Sequence, residues 1–259
     1  MQLEDGYLQL RMATTEADLI SAARLRYRVF VDELGGDGPL VDHEARLERD
    51  AFDAVYDHLV LVDTRETDAE LDHVVGVYRL LSGDAAAHHG RFYSEDEYDL
   101  TVLKASGRRL LELGRSCVHE AHRGGAALPI LWSGLADYVL ERDIEVLFGV
   151  ASLHGTDVDA LALPLAHLYR NFLAPEDLRV RALDGVYQSM DLVPPDKIDR
   201  VAAMRAVPAL IKSYLRLGGF VGDGAFVDHA FNTTDVCLVM DTARMSDAAR
   251  ARYTSGRAL

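Results

Sequence analysis

The run LLELGRSCV, residues 110–118, sets a carboxylate and a guanidinium, Glu112 and Arg115, in an otherwise apolar, strand-forming stretch. A charge inside such a stretch is costly unless it is paired or used. Two readings stand. Glu112 could take a proton from a reacting group, or it could form a plain ion pair with Arg115 at a strand end. Strand alternation puts Glu112 and Gly114 on one face and Leu111, Leu113 and Arg115 on the other. A bulge near Gly114 would bring both charged groups to one side and free a backbone N–H. The turn HRGGAA follows, and then the helix-forming stretch LPILWSGLADYVL. Backbone N–H groups at a helix N-terminus suit a phosphate, which makes Arg123, Gly124 and Gly125 candidates for holding one. A Gly-Gly turn alone is weak evidence, and Arg123 could equally be a solvated surface residue.

A second set lies upstream. Asp50 and Asp53 in RDAFD could bind a cation, or form a solvated acidic loop. Arg79 ends VVGVYR, where it could clamp a carboxylate bidentately or flank a strand at the surface. Arg26 and Phe30 fall one turn apart on the first helix, so both can face one cleft; Phe30 could also be core. Other patterns carry less. His58 to Asp63 and His154 to Asp159 match an H-x-x-x-x-D spacing that ten histidines produce by chance. The first lies on a strand, with its two ends on opposite faces. His119 to His122 is one residue short of a zinc-binding H-E-x-x-H, so no metal is assigned. Ser152 lacks the glycines of a nucleophile elbow.

The elements that must position these residues can be read from periodicity. YLQLRMA alternates as a strand. TTEADLISAARLRYRVFVDEL is a helix with Thr15 as N-cap. ARLERDAFDAVYD is polar and irregular. HLVLVDT and HVVGVYRLL form a hairpin through a turn at AELD. RLLELGRSCV is a strand, PILWSGLADYVLERD a helix and IEVLFGVAS a strand. Residues 155–215 read as a helical insertion: short helical pieces and turns in DALALPLAHLYRNF, APEDLRVRAL and LVPPDK, and then a helix DRVAAMRAVPALIKSYLRLGG with a kink at Pro208. AFVDHAF and DVCLVMD close as strands. An α/β fold with a mixed sheet and helices on both faces follows. No linker divides residues 1–259, which read as a single domain.

The chain has 259 residues, 49% of them hydrophobic, and a net charge of −15. No nucleic acid is expected as partner, because the bases are scattered. An acidic partner would need a local basic patch; Lys104, Arg108 and Arg109, and Lys212 with Arg216, are candidates. Cys117 and Cys237 are expected as buried free thiols, which suits a reducing cytoplasm. The N-terminus is not that of a secretory signal. PALIKSYLRLGG is apolar and basic; it could lie on the inner membrane face, guide a fatty chain, or be an ordinary core helix.

Several stretches together resemble the ornithine–acyl-carrier-protein N-acyltransferases of the GNAT superfamily: RYRVFVDELG, RDAFDAVYDHLVLVD, VVGVYRLL, FYSEDEYDL, LLELGRSCVHEAHR, LFGVASLHGTD and LIKSYLRLGGFVGDGAFVDHAFNTTDVCLVM. They cover most of residues 24–240. The earlier ones are shared with acyl-homoserine-lactone synthases, whose pattern falls here on Arg26, Phe30, Asp50, Asp53, Arg79, Glu112 and Arg115. Gly35-Gly36 stand where those synthases carry a Trp, and residues 155–215 have no counterpart there. The GNAT phosphate loop is degenerate around His122–Leu128, which suits a pantetheine arm delivered by a protein carrier.

The resemblance implies a GNAT-like, mostly antiparallel sheet and an enzyme. Its reaction would move a 3-hydroxyacyl chain from acyl carrier protein to the α-amine of L-ornithine, the first step of ornithine-lipid synthesis. Glu112 would be the base, acting directly or through a water, with Arg115 beside it. Asp50, Asp53, Arg79, Arg26 and Phe30 would hold the amino acid. Arg123, Gly124 and Gly125 would hold the 4'-phosphopantetheine of acyl carrier protein, and no cofactor would be tightly bound. The other readings are an acyl-homoserine-lactone synthase and a non-catalytic module binding lipid or acyl carrier.

Overall fold

The structure, a computed structural model, describes residues 2–65 and 72–245. They form two compact units: residues 2–65, 72–90 and 113–143 in the first, and 91–112 and 144–245 in the second.

In the first unit, strands β1 (Gln2–Asp5), β2 (Leu8–Met12), β3 (Asp57–Asp63) and β4 (Val74–Ser82) pair antiparallel in sequence order. Of the turn expected at AELD, residues 69–71 lie outside the described residues. Helix α1 (Glu16–Arg26) packs on β3 and β4, and α4 (Ala127–Glu141) on β2, β3 and β4. The two helices take opposite faces, as the strand period of two requires. Val60, Val62, Val74 and Val77 join Ala22, Leu25 and Val29 of the first helical segment. Gly76 instead faces Leu131 of α4, and Leu59 lies against Gly134 of the same helix. A Cβ on Gly134 would come within 2.3 Å of Leu10 Cδ2, so the bare glycine lets helix and sheet approach. Burial on both faces is why β3 and β4 read as continuous apolar runs rather than alternating ones.

Thr15 caps α1 as expected: its hydroxyl accepts from the Asp18 N–H, while the Asp18 carboxylate accepts from the Thr15 N–H. A short helix α2 (Gly83–His89), not expected from the sequence, follows β4 under a Ser82 cap.

The second unit holds β5 (Tyr98–Asp99), α3 (Thr101–Ala105), the opening residues of β6 (Leu110–Val118), β7 (Val146–His154), α5 (Ala162–Phe172), β8 (Arg181–Ala182), α6 (Arg200–Ala206), α7 (Ala209–Arg216), β9 (Phe220–Asp228) and β10 (Thr233–Asp241). Leu110–Glu112 of β6 pair in parallel with Val146–Phe148; β10 pairs antiparallel with β7 and β9.

Two expectations for residues 155–215 need correcting. APEDLRVRAL is not helical: hydrogen-bonded turns at Leu178 and Val180 lead into β8, which pairs with β5 and β9. Pro208 does not kink one helix but separates two, because the residue before a proline is driven out of the helical region. Val207 is extended there, with ψ at 134°. Cys117 and Cys237 are buried free thiols, and burial pushes the Cys117 pKa up to about 12.

Candidate active site

Six of the sequence-predicted residues meet in the first unit. Arg26 ends α1. From Tyr27 to Glu33 the winding loosens into a π-helical stretch, a rare form that favours functional positions. Phe30 lies in this stretch rather than one α-helical turn beyond Arg26. It is half-buried, packed on the α1 core, and its ring centroid is 5.9 Å from the Arg115 guanidinium carbon. Gly35, at φ 76°, follows that stretch in the left-handed conformation that glycine tolerates.

The polar run that follows is irregular but tied down. Glu48 N–H donates to the Ala23 carbonyl at 3.1 Å, and Asp50 Oδ1 accepts from the Phe52 N–H at 2.9 Å. Phe52 and Tyr56 are buried. Three carboxylates are thereby set against three guanidiniums. Arg26 donates from Nε to Glu48 Oε2 at 2.5 Å, and from Nη1 and Nη2 to Asp53 Oδ1 and Oδ2 at 2.5 and 2.8 Å. Arg79 of β4 donates from Nη1 to Asp50 Oδ1 and Asp53 Oδ1, both at 2.8 Å. Arg115 donates from Nε to Glu48 Oε1 at 3.1 Å, and its Nη2 lies 3.4 Å from Asp50 Oδ2. The formal charges of the six sum to zero.

Burial opposes the charges of Arg26, Glu48, Asp50 and Asp53, and their partners outweigh it. Arg26 is held above the ordinary guanidinium range by Glu48 and Asp53. Glu48 is held below the carboxylate range by Arg115, Arg26 and Arg79. Asp50 and Asp53 are lowered in the same way, by Arg79 and Arg26 respectively. Carboxylates so depressed are poor bases at neutral pH but reliable anions. Arg26, Arg79 and Glu48 are fully buried, whereas Asp53 and Arg115 keep 26% and 13% of their side chains exposed. Those two, with Asp50, form the rim of the cluster.

Arg115 has φ 48° inside β6, the conformation that ordinary side chains avoid. The irregularity expected near Gly114 therefore falls one residue later. A Cβ on Gly114 would lie 3.7 Å from Tyr56 Oη and 3.8 Å from Arg79 Nη2, so this strand passes directly over the site. Arg79 in turn stacks on the Tyr56 ring at 4.4 Å.

Glu112 lies in the second unit, 1% exposed. Its Oε2 accepts from the Tyr93 N–H at 2.9 Å; its Oε1 accepts from the Ser94 N–H at 2.7 Å and from the Ser94 hydroxyl. This carboxylate does not open onto solvent. The Ser94 side chain that meets it is buried too. Arg123 donates to the Val118 carbonyl and to Glu33, both at 2.8 Å. Gly124 has φ 77°, and α4 begins just beyond, at Ala127, with no side chain capping its N-terminus.

Four residues of these settings were missed in the sequence. Glu48 was hidden in a run read as solvated, although E-x-D-x-x-D is a compact acidic spacing. Ser94 and Tyr56 carry no local signal. His58 was dismissed with its H-x-x-x-x-D match, yet it is buried and its Nε2 donates to the Asp53 carbonyl at 3.0 Å.

Residues 25–133 match the acetyltransferase (GNAT) domain family. An L-ornithine N(alpha)-acyltransferase of Rhodobacter capsulatus is 62% identical over 95% of this chain and 94% of its own length. One of Brucella abortus is 42% identical over 96% of this chain and 88% of its own. Among solved structures, the acyl-homoserine-lactone synthase LasI covers 96% of this chain and 95% of its own at 15% identity and a TM-score of 0.50, a likeness of fold. With its GNAT-like mixed, mostly antiparallel sheet and these relatives, the chain belongs to the L-ornithine N(alpha)-acyltransferase family.

Proposed function

We propose that this protein transfers a 3-hydroxyacyl group from the 4'-phosphopantetheine thioester of acyl carrier protein to the α-amine of L-ornithine, giving lyso-ornithine lipid, and that residues 1–259 act as one catalytic domain. The observation that carries this reading is the 62% identity to an L-ornithine N(alpha)-acyltransferase across nearly the whole chain.

Amide formation needs an unprotonated amine, donors for the developing oxyanion, and both reactants held together. Ornithine carries two ammonium groups and one carboxylate. Asp50 and Asp53, anionic at any physiological pH, are assigned to an ammonium group, and Arg115 at the same rim to the carboxylate. Arg26 and Arg79 keep those acids ionised from behind, and Phe30 flanks Arg115. Glu112 is assigned the base role, with the Ser94 hydroxyl as relay: the amine proton passes to Ser94 Oγ as the Ser94 proton passes to Glu112. The freed amine then attacks the thioester carbon, the C–N bond forms as the C–S bond breaks, and a second proton passes from the attacking nitrogen to the sulfur, which leaves as the pantetheine thiol. The 123–125 turn and the α4 N-terminus are assigned to the phosphate of the donor. No tightly bound cofactor enters the scheme. The setting is the cytoplasm, with peripheral contact at the inner membrane face; among the described residues no helix is long and apolar enough to cross a membrane.

The test is purified protein with L-ornithine and 3-hydroxyacyl carrier protein, read by mass spectrometry. An Nα-acylornithine is expected. No amide from an active carrier, or a lactone when S-adenosylmethionine replaces ornithine, would overturn the assignment.

A further inference from the structure

Residues 192–216 carry five bases, Lys197, Arg200, Arg205, Lys212 and Arg216, against two acids, Asp196 and Asp199, in a chain of net charge −15. Asp199 is engaged as the cap of α6, accepting from the Val201 and Ala202 N–H groups. Many bases elsewhere are paired: Arg11 with Asp18, Arg28 with Glu120, Lys104 with Glu95, Arg108 with Asp241. None of the five has an acidic partner among the described residues.

Four of the five are held by two short helices, and Lys197 lies just ahead of the first. Ala203 of α6, and Ile211, Tyr214 and Leu215 of α7, are buried, so both helices are fixed by their inner faces. Lys212 Nζ donates to the Arg205 carbonyl at 3.3 Å, which joins α7 to the end of α6. Helical spacing puts Val201 beside Arg205 and Lys212 beside Arg216. Val201 is 70% exposed, the most exposed large apolar side chain described.

We infer that this basic, valine-tipped surface docks on an anionic lipid bilayer. Unpaired guanidinium and ammonium groups around an exposed apolar side chain suit phosphate headgroups above an acyl boundary. The local excess of bases acts within a Debye length of about 10 Å, where the more distant acids of the chain are screened. An acidic protein would meet the same charge, and the acyl-carrier arm of the test below separates it from a bilayer. The inference rests on the proposed function only for its purpose, since an acylated ornithine is an amphiphile that needs a membrane to enter.

The test uses the full chain in vesicle co-sedimentation, with neutral phosphatidylcholine against the same lipid containing phosphatidylglycerol. Binding to the anionic vesicles is expected to be at least about tenfold tighter, and to be abolished by high salt and by the quadruple variant R200E/R205E/K212E/R216E. V201S should weaken it several-fold at unchanged charge. Circular dichroism and amide formation with soluble substrates should match wild type for both variants. Equal binding to the two vesicles, or full binding by the quadruple variant, would overturn the inference. So would loss of affinity for acyl carrier protein in that variant with vesicle binding intact, which would make the surface a protein-docking one. Amide formation without vesicle binding sinks this inference and leaves the proposed acyl transfer standing; vesicle binding without amide formation does the reverse.

Discussion

Two groups of bases in this chain are treated in opposite ways. Arg26, Arg79 and Arg115 are drawn inside and fully matched by Glu48, Asp50 and Asp53. Lys197, Arg200, Arg205, Lys212 and Arg216 stand on short helical segments with no acidic partner among the described residues. A buried guanidinium has no water to fall back on, so its partners must be fixed in advance. An exposed one is solvated and free to exchange water for whatever arrives. The first group is suited to hold geometry and the second to recognise a surface. The two should therefore respond differently to substitution.

The largest effect is expected at Arg26. Arg26→Ala leaves Glu48 with Arg115 alone and Asp53 with Arg79 alone, and removing one partner of a buried ion pair costs about 3–5 kcal/mol. Arg26→Lys should not restore it, because one ammonium cannot reproduce three donors aimed at two carboxylates. Urea denaturation measures both variants. A loss under about 1 kcal/mol, the scale of an exposed pair, would erase the distinction between the two groups.

Glu112 tests a third treatment, a buried carboxylate met by neutral donors. Glu112→Gln turns an amide NH₂ toward the Tyr93 or Ser94 N–H and removes the proton acceptor. If Glu112 is the base, amide formation should fall about 10²–10⁴-fold. Ser94→Ala removes only the relay hydroxyl. An equal rate loss in both variants, with KM for ornithine unchanged, supports transfer through Ser94. A Ser94→Ala enzyme with full activity would exclude the relay.

What could be read in advance follows from the range over which each signal acts. The β3–β4 hairpin, α1 with its Thr15 cap and the α4 helix were legible because period and capping are local. The residues of the charge cluster were legible only as a pattern, since nothing local says that RDAFD is tied to Arg26 and Arg79. Glu48 escaped because its burial is set by Ala23 and Arg115, both distant in sequence. The π-helical winding over Tyr27–Glu33 has no periodic signature, and β8 is a strand only because β5 and β9 flank it. Glu112 was found as a residue, but its seat on Tyr93 and Ser94 was not.

The smallest effect, and the one that separates the buried group by pH, comes from His58. Its Nε2 donates to the Asp53 carbonyl, and burial lowers its pKa below the ordinary histidine value. A histidine lowered on folding takes up a proton more readily when unfolded. Its contribution to stability is therefore present above about pH 6.5 and is lost as pH falls below that. His167 is lowered in the same direction by burial and by Arg200, and adds to this stage. The lowered carboxylates Glu48, Asp50 and Asp53 contribute stability above about pH 4 and lose it in stronger acid. Stability followed by denaturation from pH 8 to 3 should thus decline in two stages. His58→Phe should shrink the first and leave the second, while the quadruple surface variant, which removes Arg200 from beside His167, should reduce only the His167 share of the first stage and leave the second unchanged. Should His58→Phe alter the lower stage instead, the histidine would be acting through the cluster rather than beside it, and its hydrogen bond to Asp53 would count as part of the charge balance.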